Sequence, residues 1–391
     1  MKIAFVYDAL YPFTKGGGEK RYYELGKRLA SRHEVHFVSW QYWPSGPRMQ
    51  GDGVWYHGVG QPKPFYGRDG RRTIGEAVAF ASRLLRSFPN ERFDIIDCSS
   101  IPYFPTFPCR LIPRSRHIPL VVTWHEFWDD YWLSYLGWRG HLARLVEHAS
   151  ARLSHVPVAV STFTARRLAR AVLADRYLPV VPNGVDYGLI EGIPPQGMES
   201  DIIFVGRLLK HKNVTTLLKA VHLLTHEFPR LRCIVVGAGP ERESLMALSR
   251  RLGLAENVTF TGYIADDDDL YGLMKRSKVF VLPSRREGFG ICVVEAQACG
   301  LPAVVVDAPD SAAPALIEEG ENGIVCRDDA RSLASALAGL LAEPVRLAKM
   351  AERSRALAAQ QDWSYIAQQM EALYEQALPT KDRCRLPVQS L

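Results

Sequence analysis

Along the chain, short runs of apolar and β-branched residues alternate with longer segments whose apolar positions recur every three or four residues. The short runs predict buried strands at 2–7, 34–39, 93–98, 119–124 and 156–160, then at 201–206, 231–236, 257–260, 278–282 and 302–306. Continuous apolar character, rather than strict alternation, suits parallel strands covered on both faces. The longer segments predict helices at 19–31, 140–152, 162–173, 213–227, 241–252 and 331–342. Strand and helix in alternation imply βαβ units with right-handed crossovers, an α/β fold.

The rhythm pauses between 182 and 200, where Pro182-Asn183-Gly184 is followed by Gly192, Pro194, Pro195 and Gly197. A linker there divides the chain into two α/β domains, and 391 residues exceed what one core usually serves. Two such domains are expected to face each other across a cleft. Ligands of open parallel sheets bind beyond the carboxyl ends of the strands, so function is expected in the loops that follow them.

Charge refines this division. The net charge is +6, but residues 1–190 hold 25 Lys and Arg against 16 Asp and Glu, while 191–391 hold 23 against 26. The basic front half admits an anionic partner or membrane surface, or else a solvated helix face such as that bearing Arg166, Arg167 and Arg170. At 47% hydrophobic, the composition excludes a disordered chain. The seven cysteines form no CxxC pair, and their odd number suggests reduced thiols in a cytosol. The chain starts directly with a strand, without a leader pattern. No apolar stretch approaches the roughly 20 residues that span a bilayer, so any membrane contact is expected to be peripheral.

Five loops carry candidate chemistry. Gly16-Gly17-Gly18 joins the first strand to a helix, where glycines permit close backbone approach and the helix start favours an anion. It lacks the GxGxxG spacing of a nicotinamide dinucleotide site, and a flexible turn is the plainer alternative. Gly206-Arg207-Leu208-Leu209-Lys210-His211-Lys212-Asn213 leaves the first strand of the second domain. Arg207 can offer a hydrogen-bonding fork and Lys212 a point charge, together suiting a diphosphate. Gly237-Ala238-Gly239-Pro240 reads more readily as a tight structural turn.

The fourth loop, Ser284-Arg285-Arg286-Glu287-Gly288-Phe289-Gly290-Ile291, runs into a helix that contains Glu295. Free N–H groups at the helix start can hold phosphate or sugar oxygens. If the eight residues from Glu287 to Glu295 rise as helix, they span roughly 12 Å. That exceeds the about 5–5.5 Å between the carboxyls of a retaining glycosidase. The two acids are therefore expected to read separate ends of one extended ligand, such as a sugar and a ribose. In the fifth loop His125 ends a front-domain strand and is followed by Trp128, Tyr131, Trp132, Tyr135 and Trp138. These aromatics suit core, sugar stacking or membrane contact equally. The run Asp266 to Asp269 invites a metal reading, but acids before a helical Leu270-Tyr271 more simply favour a helix start.

Taken in order and spacing, these motifs resemble glycosyltransferase family 4, a group of retaining enzymes with the GT-B fold of two facing Rossmann-like domains. The resemblance covers most of the chain. It is most specific at Glu287-x7-Glu295, with support from Gly-Arg-Leu at 206–208, Lys212-Asn213, the glycines at 16–18, Pro182-Asn183-Gly184-Val185-Asp186 and His125. It implies domains at 1–187 and 188–363, a last helix at about 364–378 crossing back onto the first domain, and a polar tail at 379–391. It further implies metal-independent transfer of a mannose- or glucose-type hexose from a UDP- or GDP-linked donor to a hydroxyl, with no resident cofactor and no nucleic-acid partner.

In that scheme Glu287 contacts the donor sugar and Glu295 the ribose, while Arg207 and Lys212 neutralise the diphosphate. The backbone of Gly288, Phe289, Gly290 and Ile291 holds sugar and phosphate. His125 hydrogen-bonds the sugar, and Gly17 lies near the phosphates. The family often has His-Asp where this chain has His125-Glu126. Candidate acceptors are a glycan, a lipid-linked sugar or a small metabolite, and the expected location is the cytoplasm, with any membrane contact at its inner face. An epimerase or phosphorylase on the same fold, or a non-catalytic sugar-nucleotide binder, are the competing readings.

Overall fold

The computed structural model describes residues 1–67, 72–112, 118–174, 176 and 178–379. The chain divides into two compact units, Met1–Val181 with the segment from Ser364 onward, and Pro182–Trp363.

The first unit is built on seven strands: β1 (Lys2–Val6), β2 (Glu34–Ser39), β3 (Arg48–Gly51), β4 (Val54–Gly58), β5 (Ile95–Ser99), β6 (Leu120–Trp124) and β7 (Val156–Ala159). Their order is β3-β4-β2-β1-β5-β6-β7. All neighbours are parallel except β3 and β4. The helices are α1 (Gly17–Leu29), α2 (Ile74–Ser87), α3 (Thr106–Leu111), α4 (Tyr131–Leu136), α5 (Gly140–Leu153) and α6 (Thr162–Ala171). Apart from Lys2 at the start of β1, the central strands β1, β5 and β6 are buried, as their apolar runs require.

Phe80 and Leu84 of α2, Cys109 of α3 and Ala151 of α5 share a core with Ala4, Val6, Ile96 and Val122 of the sheet. Those three helices therefore cover one face. The chain's last helix also belongs largely to this unit. Met370 accepts from Arg21 of α1 at 3.5 Å, and the Tyr374 hydroxyl donates to Asp97 of β5 at 2.5 Å. The Asp97 carboxylate also accepts from Tyr22 and Thr123.

The second unit holds β8 (Ser200–Val205), β9 (Cys233–Val236), β10 (Val258–Gly262), β11 (Ser277–Leu282), β12 (Arg286–Glu287), β13 (Ala303–Asp307), β14 (Asp310–Ser311) and β15 (Gly323–Arg327). Six of these form a parallel sheet in the order β10-β9-β8-β11-β13-β15, while β12 and β14 pair separately. The helices are α7 (Tyr187–Gly192), α8 (Val214–Leu224), α9 (Arg242–Arg251), α10 (Asp267–Lys275), α11 (Ile291–Ala298), α12 (Ala330–Leu341) and α13 (Pro344–Ala359), with α14 (Trp363–Ala377) starting at its boundary. The Pro182-Asn183-Gly184 turn belongs to this unit because the next residue pairs with its far end. Val185 N–H donates to Gln361 O at 2.9 Å, and Trp363 N–H to Val185 O at 3.0 Å.

Several elements differ from expectation. The β3–β4 hairpin was not foreseen, although Asp52-Gly53 signals it: both residues have positive φ (51° and 77°), as a tight two-residue hairpin turn requires. Helix α7 lies in the predicted linker. Strand β15 and helices α2 and α13 were also unforeseen. Among the described residues no helix is long and apolar enough to cross a membrane. Nearly all of the expected polar tail, and Cys384, lie outside the described residues.

Candidate functional site

In each main sheet the chain first steps to one side of its opening strand and later to the other. β1 pairs with β2 and β5, and β8 pairs with β9 and β11. Each pair of diverging connections leaves an opening beyond the carboxyl ends of the strands, where α/β sheets take ligands. In the second unit the loops at that point are those after β8 and β11, which carry most of the sequence-predicted site.

The loop after β8 is shaped by its packing on the loop after β9. A Cβ on Gly237 would lie 1.9 Å from Gly206 O, and one on Gly239 would lie 2.4 Å from Leu208 O. Leu208 N–H donates to Ala238 O at 2.8 Å. The Gly237–Gly239 turn is therefore a close backbone contact that supports the neighbouring loop, in keeping with its structural reading. Arg207 stays exposed at the strand end. A single 3₁₀ turn at Lys210–Lys212 then leads to Asn213, whose left-handed backbone (φ 55°) opens α8.

That turn brings Lys212 against the loop after β11. Its Nζ donates to Glu287 Oε1 at 2.5 Å, with the two side chains only 14% and 10% exposed. Burial works against the Lys212 charge, but the Glu287 carboxylate prevails and holds the lysine above its ordinary range. Burial also pushes His211 down to about 3, followed by the charges of Arg286, Lys212 and Arg207. A neutral histidine thus sits within a convergence of three cations. Sequence reasoning had assigned only two of them. Arg286 lay within the quoted motif, and its pairing partner Asp310 in β14 could not be read from spacing.

Glu287 is held by the backbone as well, since Ala312 N–H donates to its carbonyl at 2.8 Å. Asp328, which sequence reasoning missed, ties the two loops together. It accepts from Asn213 Nδ2 at 2.9 Å and from Arg285 Nε at 2.5 Å. Arg285 N–H also donates to His211 O at 2.8 Å.

Gly288, Phe289 and Gly290 are buried, and Gly290 (φ 96°) turns the chain into α11. The first N–H groups of α11, from Ile291, have no carbonyl one turn earlier in the helix, which makes that end suited to an oxyanion. Only residues from 291 onward are helical, so the eight-residue helical rise expected between Glu287 and Glu295 does not apply. The acids still have separate partners, because Glu295 Oε1 accepts from the Tyr271 hydroxyl at 2.9 Å. Asp266 caps α10, accepting from the N–H groups of Asp268 and Asp269 at 2.9 and 3.1 Å. The acidic run is therefore a helix start.

In the first unit, His125 follows β6 and faces the start of α1. Its Nε2 is buried with no hydrogen-bond partner among the described residues. A Cβ on Gly18 would lie 3.0 Å from the Tyr7 hydroxyl and 3.4 Å from His125 Nε2, so Gly18 keeps that space open. Gly17 is the first residue of α1. Burial, with Arg21 adding to it, lowers His125 to about 3 and keeps the ring neutral. Glu126, at the position where the family often has Asp, accepts from the Trp128 indole N–H at 2.6 Å. The aromatic segment divides. Trp124 and Phe127 are core, Trp128, Tyr131, Trp132 and Tyr135 pack on one another, and Trp138 is exposed.

One group among the described residues has metal-like geometry: His36, His57 and Glu91 place ligand atoms within 4.8 Å of one another. It lies near the amino ends of β1 and β2, away from the ligand ends. His36 already bonds His57 at 2.8 Å and Glu34 at 2.9 Å, while Lys2 and Arg48 engage Glu91. With two cations already present, this is a satisfied polar cluster.

Residues 15–188 match the family model Glycosyltransferase Family 4, and residues 190–357 match Glycosyl transferases group 1. A phosphatidyl-myo-inositol mannosyltransferase of Mycolicibacterium smegmatis is 28% identical over 372 residues, covering 92% of this chain and 90% of that one. A GDP-mannose-dependent alpha-(1-6)-phosphatidylinositol monomannoside mannosyltransferase of the same species is 32% identical over 217 residues. That match covers 53% of this chain and about half of that relative, 51%. Sucrose-phosphate synthase from Thermosynechococcus elongatus shares the fold, with a TM-score of 0.80 at 20% identity over 96% of this chain and 98% of that one. With both halves matched almost without interruption and the architecture shared throughout, the chain belongs to glycosyltransferase family 4 and has the GT-B fold.

Proposed function

We propose that this protein transfers a hexose from a nucleoside-diphosphate sugar to a hydroxyl acceptor, with retention of anomeric configuration and without a divalent metal. The observation that carries the reading is the Lys212–Glu287 pair, set among Arg207, Arg286 and the start of α11 at the ligand end of the second sheet. Cleaving the anomeric C–O bond puts negative charge on the departing diphosphate and positive charge on the sugar. Arg207, Lys212 and the α11 N–H groups offset the first, acting as preorganised charge that needs no reorganisation during the reaction. Glu287 lies beside the sugar, where its carboxylate favours the developing positive charge. Glu295, oriented by Tyr271, takes the ribose hydroxyls. His125, neutral and with an unsatisfied Nε2, hydrogen-bonds the sugar, and Gly17 lies near the phosphates. The acceptor oxygen attacks the anomeric carbon on the face the diphosphate leaves, and its proton passes to the departing phosphate oxygen.

The name of one mycobacterial relative supports GDP-mannose as donor, and the names of both support a hydroxyl of a phosphatidylinositol-type headgroup as acceptor. A panel of GDP- and UDP-sugars, assayed with and without phosphatidylinositol, tests this. The expected result is acceptor-dependent release of GDP from GDP-mannose, an α-linked product by NMR, and full rate in excess EDTA. Acceptor-independent interconversion of the sugar nucleotide would favour an epimerase. Activity lost in EDTA and restored by Mg²⁺ would refute the metal-free mechanism. Glu287→Gln is expected to lower kcat more than it raises KM, and an unchanged rate would remove Glu287 from the reacting centre.

A further inference from the structure

Helices α2, α3 and α5 cover one face of the first unit's sheet, and α3 packs against both of the others. Their inner sides are core; their outer sides are unusual. Trp138, Leu142 and Leu145 are 79%, 67% and 64% exposed. Leu142 and Leu145 lie on one side of α5, which continues through Ala149 to the exposed Arg152, and Trp138 stands in the single 3₁₀ turn (Gly137–Arg139) that leads into that helix. On α2 the exposed Ile74, Val78 and Leu85 form a second ridge, and Leu111 of α3 is exposed beside it. Isolated exposed leucines are ordinary, but apolar ridges on adjoining helices are not.

Charge indicates what covers this layer. The only carboxylates in α2, α3 and α5 are Glu76 and Glu147, and both are buried. Glu76 accepts from the Trp40 indole, and Glu147 from Tyr103 and the N–H groups of Trp128 and Asp129. The outer surface instead carries Arg83, Arg86, Arg110 and Arg152, with Arg139 stacked on Trp138. The exposed acid next to α5, Asp130, is already paired with Arg144. Apolar ridges flanked by arginines, on helices that carry no exposed acid of their own, match an anionic lipid interface. At such an interface leucine and tryptophan side chains enter the acyl boundary while guanidinium groups remain at the phosphates.

We propose that the α2–α3–α5 layer is a docking surface for anionic membranes, with the Trp138–Leu142–Leu145 ridge as its inserting edge. The assignment rests on this surface alone, and it deepens the proposed function by bringing a lipid-borne acceptor to the same unit. The test is co-sedimentation of the full chain with vesicles of phosphatidylcholine alone or with added phosphatidylglycerol. Wild type is expected to bind only the anionic vesicles and to release at high salt. Leu142→Glu/Leu145→Glu is expected to reduce binding about tenfold or more while leaving GDP and GDP-mannose binding in solution unchanged. Trp138→Ser, a milder change, is expected to weaken binding in the same direction. Failure of wild type to bind, equal binding to both vesicle types, or undiminished binding by both variants would each overturn the proposal. So would a wild-type dimer, seen by light scattering, that the double variant converts to a monomer, since the ridge would then be covered by a second copy. Nucleotide-sugar binding and turnover without vesicles are read separately, so failure of the glycosyl-transfer reading would appear there.

Discussion

Replacing Lys212 by Met separates the structural from the chemical work of the Lys212–Glu287 pair. The variant keeps most of the side-chain volume but leaves the Glu287 carboxylate, only 10% exposed, without its 2.5 Å partner. Breaking a buried ion pair by removing one member costs about 3–5 kcal/mol, against about 0–1 for a surface pair. The small residual exposure of both groups places this pair near the lower end of the buried range, at about 3 kcal/mol. For a unit of this size that is a fall of roughly 6–12 °C in its melting transition. The lysine's pKa is raised in the folded state. Its contribution is therefore complete at neutral pH and is lost only as pH rises through the folded value in strong alkali. Lys212→Met/Glu287→Gln removes the stranded charge and is expected to recover most of the stability. On the proposed mechanism it is not expected to recover turnover, because a cation at a leaving diphosphate is worth about 3–4 kcal/mol, or 10²–10³ in kcat. Calorimetry and GDP release measure the two effects. A single variant with unchanged melting, or a double variant with restored turnover, would refute the reasoning.

Three other outcomes follow from the geometry. Gly237→Ala places a methyl group 1.9 Å from Gly206 O at φ 138°, and is expected to cost about 2–4 kcal/mol in urea unfolding; a neutral result would contradict the loop packing. Asp328→Ala releases both Asn213 and Arg285 and is expected to lower kcat about tenfold with secondary structure intact; full activity would show that Asp328 does not position the site. Burial pushes Asp97 up to about 6 despite Tyr374, Tyr22, Arg21 and Thr123, so folding weakens by about 2–3 kcal/mol as pH rises from about 4 to about 6. Asp97→Asn is expected to flatten that part of the stability–pH curve, and an unchanged slope would locate the titration elsewhere.

The alternation of apolar runs and amphipathic segments was enough to reveal two α/β halves, because buried parallel strands and their crossover helices leave periodicities that survive in one dimension. The candidate loops were legible for a related reason: each lies directly after a strand, so chain position predicts nearness to the end of the sheet where α/β folds take ligands. Arg207, Lys212, Glu287 and the α11 start were all singled out as candidates in this way. Partnership was not legible. No local signal couples Lys212 to Glu287, Tyr271 to Glu295, or Asp328 to two separate loops, since each contact joins segments distant in sequence. The same limit applied to Gly237, where an added Cβ would clash only with a carbonyl of the loop after β8, and to the aromatic segment at 124–138. Its residues look alike as a string, yet folding buries Trp124 and leaves Trp138 in solvent. Sequence alone determined the buried parallel strands, most of their crossover helices and the loops that are candidates for chemistry. Tertiary structure decided which charges meet and which apolar faces remain uncovered, because both depend on contacts that only the packed chain creates.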